Sequence, residues 1–265
     1  MLTFKQFLEA KVSEYEHRPL QGHVLANYIK EHCGEALKAW QDGHGIYRGS
    51  RGATASGLYN PGSGERTSAN TNNYYTSFLD TNPKNKGWPK RSKSFICSTS
   101  TESADGYGRD RGGKTFTVFP FDGTPIGVVN RSDIWHLGVE FRGGFYLQDT
   151  IKGMNDIIPN FIEKAGKPRS WVPTLDEFHD LIKSMPPEDF EKECLEMNLE
   201  THSADPKTAR DSFADQLYDA YSYDQLDCEK KTPGTVKHER SEVWFDSNCI
   251  MVTDRDLIII RDELR

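Results

Sequence analysis

Four short stretches carry residue types that could do chemistry. In "HGIYRGSRG" (44–52) Arg48 closes a short apolar run, with Gly49 directly behind it. A guanidinium is a permanently charged, planar fork of donors, and a glycine lets the backbone come close to whatever that fork holds. The pair serves either a surface salt bridge or a bound anion. "SFICSTS" (94–100) ends in three hydroxyls, Ser98, Thr99 and Ser100. "ERSEVWF" (239–245) places Glu242 at the mouth of a β-type run, with Glu239 and Arg240 just before it. Residues 108–115, GRDRGGKT, match the phosphate-loop pattern G-x-x-x-x-G-K-[ST] letter for letter.

The phosphate loop works only where a buried strand delivers it to a helix N-terminus. Here "TESADGY" precedes it and "TFTVFPF" follows, neither of which fits that role. The stretch therefore reads as a flexible loop leading into a strand. Its cations Arg109, Arg111 and Lys114 can still clamp a diphosphate by charge.

The elements that must position these residues follow from composition and periodicity. The chain has 265 residues, 35 % hydrophobic and 11 % aromatic, enough for one large domain or two small ones. No apolar run approaches a membrane span, so no membrane association is expected. The start, "MLTFKQFLEAK", is too charged for a secretory signal and reads as an amphipathic helix with Leu2, Phe4, Phe7 and Leu8 on one side. Five cysteines without a C-x-x-C fit a reducing cytosol, and eight histidines without an H-E-x-x-H give no reason to expect a metal. The net charge of −7 is uneven: residues 174–231 carry 16 acidic and 6 basic side chains, whereas residues 40–115 carry 11 basic and 6 acidic. A positive region suits an anionic ligand, although solvated faces alone explain both blocks.

Residues 1–43 read as a helical segment. Residues 44–153 read as the first half of a β core, including a long polar segment (53–93) whose "NNYYTSFLD" has aromatics enough to dock on something. A D-G turn joins "KTFTVFPF" to "IGVVN" as a hairpin signal, and "LGVEFRGGFYLQD" suggests a second hairpin. Residues 154–230 form an acidic helical insertion, with a capping box from Thr174 to Glu177 and Pro187 in a first helical turn. Residues 231–265 return to strands ("SEVWF", "CIMVTD", "DLIIIRDEL") and complete the core. The fold class is α+β, with two packed, mainly antiparallel sheets, N-terminal helices and a large helical insertion.

The order "YRG", then "F-x-x-S-T-S", then a glutamate entering a strand resembles the ADP-ribosyltransferase superfamily. More narrowly it resembles the arginine–serine–glutamate branch of bacterial toxins and tailed-phage transferases. The resemblance covers about 44–130 and 235–265. It implies cleavage of the bond between nicotinamide and ribose in NAD, through an oxocarbenium-like transition state. Glu242 would stabilise the growing charge through the ribose 2′-hydroxyl, and Ser98 would hold that carboxylate in place. Thr99 and Ser100 would shape the nicotinamide side, Arg48 would grip diphosphate or ribose, and Gly49 would let its backbone approach the carboxamide. Arg109 and Arg111 would lie in the phosphate–nicotinamide loop. NAD is then the substrate and no metal is implied.

Two departures from that pattern matter. Arginine-modifying members carry an acid two residues before the glutamate, and here that position is Arg240, with Glu239 one further back. The acceptor is therefore expected to be other than an arginine side chain. The preceding loop, which includes Lys237 and His238, is basic and favours an acidic or phosphate-bearing host protein or nucleic acid. The long acidic insertion is either a scaffold or a docking site for a partner. The leader resembles those of proteins packaged in heads of T4-like phages, implying the cytosol of a bacterial host, with passage in the virion. The resemblance also admits an NAD glycohydrolase with the same site, or an inactive binding or head protein.

Overall fold

The structure is a computed structural model that describes residues 16–61, 73–109, 112–130, 133–142, 147–197, 199, 205–237 and 240–265. In chain order the elements are β1 (Glu16–Pro19), α1 (Gly22–His32), α2 (Gly34–Gln41), β2 (Ile46–Ser50), β3 (Gly57–Asn60), α3 (Tyr74–Thr81), β4 (Phe95–Ser98), α4 (Thr101–Tyr107), β5 (Lys114–Pro120) and β6 (Ile126–Val129). They continue with β7 (Gly138–Phe141), β8 (Leu147–Thr150), α5 (Ile151–Lys164), α6 (Leu175–Ser184), α7 (Pro187–Glu196), α8 (Pro206–Ala220), β9 (Cys228–Lys231), β10 (Glu242–Phe245), β11 (Cys249–Thr253) and α9 (Asp254–Ile260). The fold is mixed α and β, as its periodicities predict. The amphipathic leader lies outside the described residues.

The chain divides into two compact units: residues 1–66, 88–132 and 230–265 form the first, and 67–87 with 133–229 form the second. The expected insertion (154–230) is thus enlarged. The hairpin β7–β8, expected in the β core, pairs with itself inside the second unit.

A sheet of order β1-β3-β11-β5-β2-β4-β10-β6-β9 carries the candidate residues of the first unit, and its described registers are antiparallel. Its last strand, β9, holds the passage from one unit to the other. The expected pair of sheets is one continuous order. Its two halves join where β2 meets β4 at Tyr47↔Ser98. Residues of both halves, among them Ile46, Phe116, Val118 and Met251 from one and Phe95, Cys97, Val128 and Val243 from the other, share one buried cluster. Strands β5 and β11 are covered on both sides. Val118 and Met251 face that cluster, while Phe119, Ile250 and Val252 face α1, α2 and Ile260. Alternation of side chains across a strand produces this division.

The D-G hairpin does not form. Gly123 makes the turn, with φ of +72°, but β5 and β6 end in opposite halves of the sheet. The Asp122 carboxylate accepts the amides of Gly34 and Glu35 at 3.1 and 2.8 Å, capping α2 and drawing the turn away from hairpin closure. The stretch "DLIIIRDEL" (256–264), expected as strand, is helical through Ile260 as part of α9. Thr253 accepts the Asp256 amide at 3.3 Å as N-cap, and Asp254 and Asp256 complement the helix N-terminus. The 53–93 segment contains β3 and α3, and "NNYYTSFLD" buries Tyr74, Tyr75, Phe78 and Leu79 instead of presenting them for docking.

The second unit is held by ring clusters. Phe78 contacts Phe178 and Tyr221, and Phe161, Phe190 and Phe213 pack around one another with Phe141 beside Phe213. The Thr174–Glu177 capping box is present, and Pro187 and Pro206 occupy first turns. Tyr221 and Tyr223 are core residues.

Candidate active site

Glu242 opens β10 directly opposite Ser98, the last residue of β4, and Ser98 in turn faces Tyr47 of β2. Directly opposed residues in an antiparallel pair project to one face. Tyr47, Ser98 and Glu242 therefore form a row across three strands. All three are partly buried. Ser98 Oγ accepts the Ser100 amide at 3.0 Å, and Ser100 Oγ accepts the Ser103 amide at 3.3 Å, starting α4. The Thr99 amide donates to the Ser241 carbonyl and the Ser241 amide donates to Thr99 Oγ1, both at 2.9 Å. This double clasp pins the Ser-Thr-Ser turn to the residue preceding Glu242. Burial, aided by Asp254, raises the Tyr47 phenol above its ordinary pKa.

Sequence reasoning missed the strongest partner of Glu242. The Arg91 guanidinium, 2 % exposed, donates to Glu242 Oε1 at 2.7 Å, and the carboxylate side chain is 13 % exposed. Arg91 also lies over the Trp244 ring at 5.0 Å. The Trp244 indole donates to the Pro89 carbonyl at 3.0 Å, fixing the segment that carries Arg91. Gly127, opposite Trp244, leaves the room its ring occupies. A cation in a Lys- and Ser-rich loop reads as solvated, so "WPKRSK" gave no local signal. Only the docking of the indole shows that one of its cations is buried.

Arg48 does not join the row. It follows Tyr47 and so projects to the opposite face, beside Ile46, and is 9 % exposed. Its Nη1 donates to the Ile96 carbonyl at 2.6 Å, and its guanidinium lies 5.4 Å from the Phe95 ring centre. The expected grip on a diphosphate is corrected to a grip on β4, at the line where the sheet halves meet. Gly49 is also reassigned. The space beside its Cα is filled by the Ala104 carbonyl and the Gly108 nitrogen, so glycine is needed for α4 to cross β2. The loop expected over 101–114 is helical through Tyr107.

Arg109 pairs with Asp105 and Asp254, and Lys114 donates to the Thr54 carbonyl at 2.6 Å. Both line a cavity of about 360 Å³ with Thr115, Thr253, Asp254 and Asp256, a site that includes neither Ser98 nor Glu242. Arg111, His238 and Glu239 lie outside the described residues. Arg240 adopts φ of +56° and pairs with Glu102 at 3.1 Å, at the start of α4, and Lys237 is exposed. No group of His, Cys, Asp and Glu able to hold a metal occurs among the described residues, and no described helix is long and apolar enough to cross a membrane.

Comparison of the chain with protein-family models, curated proteins and solved structures finds no match. The chemistry must be read from the row itself. A carboxylate anchored by a buried guanidinium, partly open to solvent and neighboured by serine and tyrosine, can accept a hydrogen bond from a substrate hydroxyl. It can also stabilise a cation formed beside it.

Proposed function

We propose that the protein is an NAD-dependent mono-ADP-ribosyltransferase with Glu242 as its catalytic carboxylate. The supporting observation is the register of Glu242 against Ser98, two residues 144 positions apart in sequence that share one face. The bond from ribose C1′ to the nicotinamide nitrogen breaks and its electron pair leaves with neutral nicotinamide. Glu242 accepts a hydrogen bond from the 2′-hydroxyl as positive charge spreads over the ribose. A nucleophile of the acceptor then bonds to C1′ and gives up its proton; with water in that place the same site is a glycohydrolase. Arg91 holds the carboxylate from behind, and Arg48 acts through the backbone of β4.

A second reading, a transferase-like protein that binds without transferring, is favoured by the Arg91–Glu242 pair and by Arg48 facing the core. NAD labelled in its adenylate moiety, mixed with bacterial lysate, separates the possibilities. Label on a macromolecule supports transfer, release of nicotinamide alone supports hydrolysis, and neither supports the binding reading. Glu242→Ala should abolish transfer with the circular dichroism spectrum retained, and undiminished activity would reject the assignment.

A further inference from the structure

We propose that the face of the first unit carrying Trp88, Lys90, Lys93 and Lys230 binds single-stranded nucleic acid. The chain as a whole is acidic, at −7, yet residues 88–93 and 230–237 hold six cationic side chains and no carboxylate. The fold brings these two distant segments together. Lys230 Nζ lies 5.9 Å from the centre of the Trp88 ring. That ring stacks beside Trp244 at 6.1 Å and 14°, and Trp244 in turn underlies Arg91, the partner of Glu242. Lys90, Lys93, Lys230 and Lys237 are exposed, and Trp88 is half-buried.

The segment is fixed in place. The Pro89 carbonyl accepts the Trp244 indole, the Lys90 amide donates to Asp246 at 3.0 Å, and the Ser94 hydroxyl donates to the Lys90 carbonyl at 2.7 Å. A short 3₁₀ turn over Arg91–Lys93 then sets the spacing of the lysines. Of the carboxylates beside the patch, Asp246 accepts the Lys90 amide and Glu242 pairs with Arg91, while Glu229 precedes Lys230 in the chain. An anchored aromatic plane flanked by lysines meets the two needs of a single strand. Bases stack on an aromatic ring, and phosphates displace counterions on ammonium groups. An acidic peptide would use the lysines and leave the ring idle, so the indole decides for nucleic acid.

The test uses the full chain without NAD and fluorescein-labelled oligo(U) and oligo(dT) of about 12 nucleotides, the length order of one single-strand site. Anisotropy is read at about 50 and about 200 mM salt, a range over which phosphate contacts lose much of their strength. Binding that weakens with salt is expected. Lys90→Glu with Lys93→Glu should weaken it and flatten the salt dependence, since both side chains are exposed and the fold should tolerate the change. Trp88→Leu should weaken it about tenfold at an unchanged salt slope. No binding at the lower salt, indifference to the lysine changes, or equal binding of a poly-glutamate peptide of matched charge would overturn the proposal. The inference does not rest on ADP-ribose transfer. Oligonucleotide binding is read without NAD and ADP-ribose transfer without oligonucleotide, so either proposal can fail alone.

Discussion

At the scale of single residues, the Arg91–Glu242 pair is the strongest constraint on the site. Removing one partner of a buried ion pair leaves the other charge uncompensated, at a cost of about 3–5 kcal/mol, while replacing both with apolar groups can be neutral. Because Glu242 keeps some solvent access, the lower end applies: Arg91→Ala should destabilise the first unit by about 3 kcal/mol. Arg91→Met with Glu242→Leu should recover most of that loss in chemical denaturation; failure of the double variant to recover would show that the pair does not act as a unit. Gly49 makes a second residue-scale claim. A methyl group there meets the Ala104 carbonyl, so Gly49→Ala should cost about 1–3 kcal/mol, as overpacking does. A neutral result in a melting experiment would place α4 elsewhere.

At the scale of elements, α5, α6 and α8 of the second unit begin with side-chain caps. Thr174→Ala removes one half of a reciprocal box and should lower stability by about 1 kcal/mol. Helix α8 adds a dependence on pH. Lys207, followed by Arg210, holds the Asp211 carboxyl down at about 2 from an ordinary 3.8. The folded state thus binds the proton less readily than the unfolded state. The resulting stabilisation is fully present above the ordinary carboxylate value and is lost as pH falls toward about 2. Asp211→Asn should remove part of the acid-induced fall in melting temperature over that window; an unchanged profile would contradict the assigned contacts. The strands teach a different lesson. Both β5–β6 and β10–β11 are joined by turns rich in Asp, Asn, Ser or Gly, yet each pair is separated in the sheet. Turn chemistry specifies where a chain reverses, and long-range pairing specifies with which strand it associates.

At the scale of the whole chain, the five cysteines report on integrity. All are buried and none is disulfide-bonded. Burial, with Glu193 and Glu191 nearby, pushes the Cys194 thiol up to about 12, and burial likewise raises Cys33 and Cys249. Thiolates are the reactive species. A maleimide near neutral pH should therefore label the native protein far more slowly than the denatured one. Rapid labelling of one cysteine in the native state would mark a locally opening segment.

The helices of 22–41 and 151–220, with the Thr174–Glu177 cap, were legible in sequence because they depend on neighbours three or four residues away, whereas α3 and α4 were read as loop. "GHVLANYIKEHCGEALKAW" and "TLDEFHDLIKSM" declare their buried stripes without reference to the rest of the chain. The strands "SFICSTS" and "SEVWF" were also readable, and with them the serine and the glutamate of the row. "DLIIIRDEL" was misread because an apolar run does not distinguish strand from helix until its N-cap, Thr253, is recognised. Tertiary structure alone determined that Ser98 opposes Glu242, that Arg48 turns toward the core, and that Arg91 stands behind the carboxylate. Each of these depends on pairing between segments roughly 50 to 150 residues apart, where the free energy comes from joint burial and not from any local preference. Charge, moreover, reads the same in sequence whether it is solvated or enclosed, and only the docking of an indole against Pro89 separated Arg91 from the exposed lysines beside it.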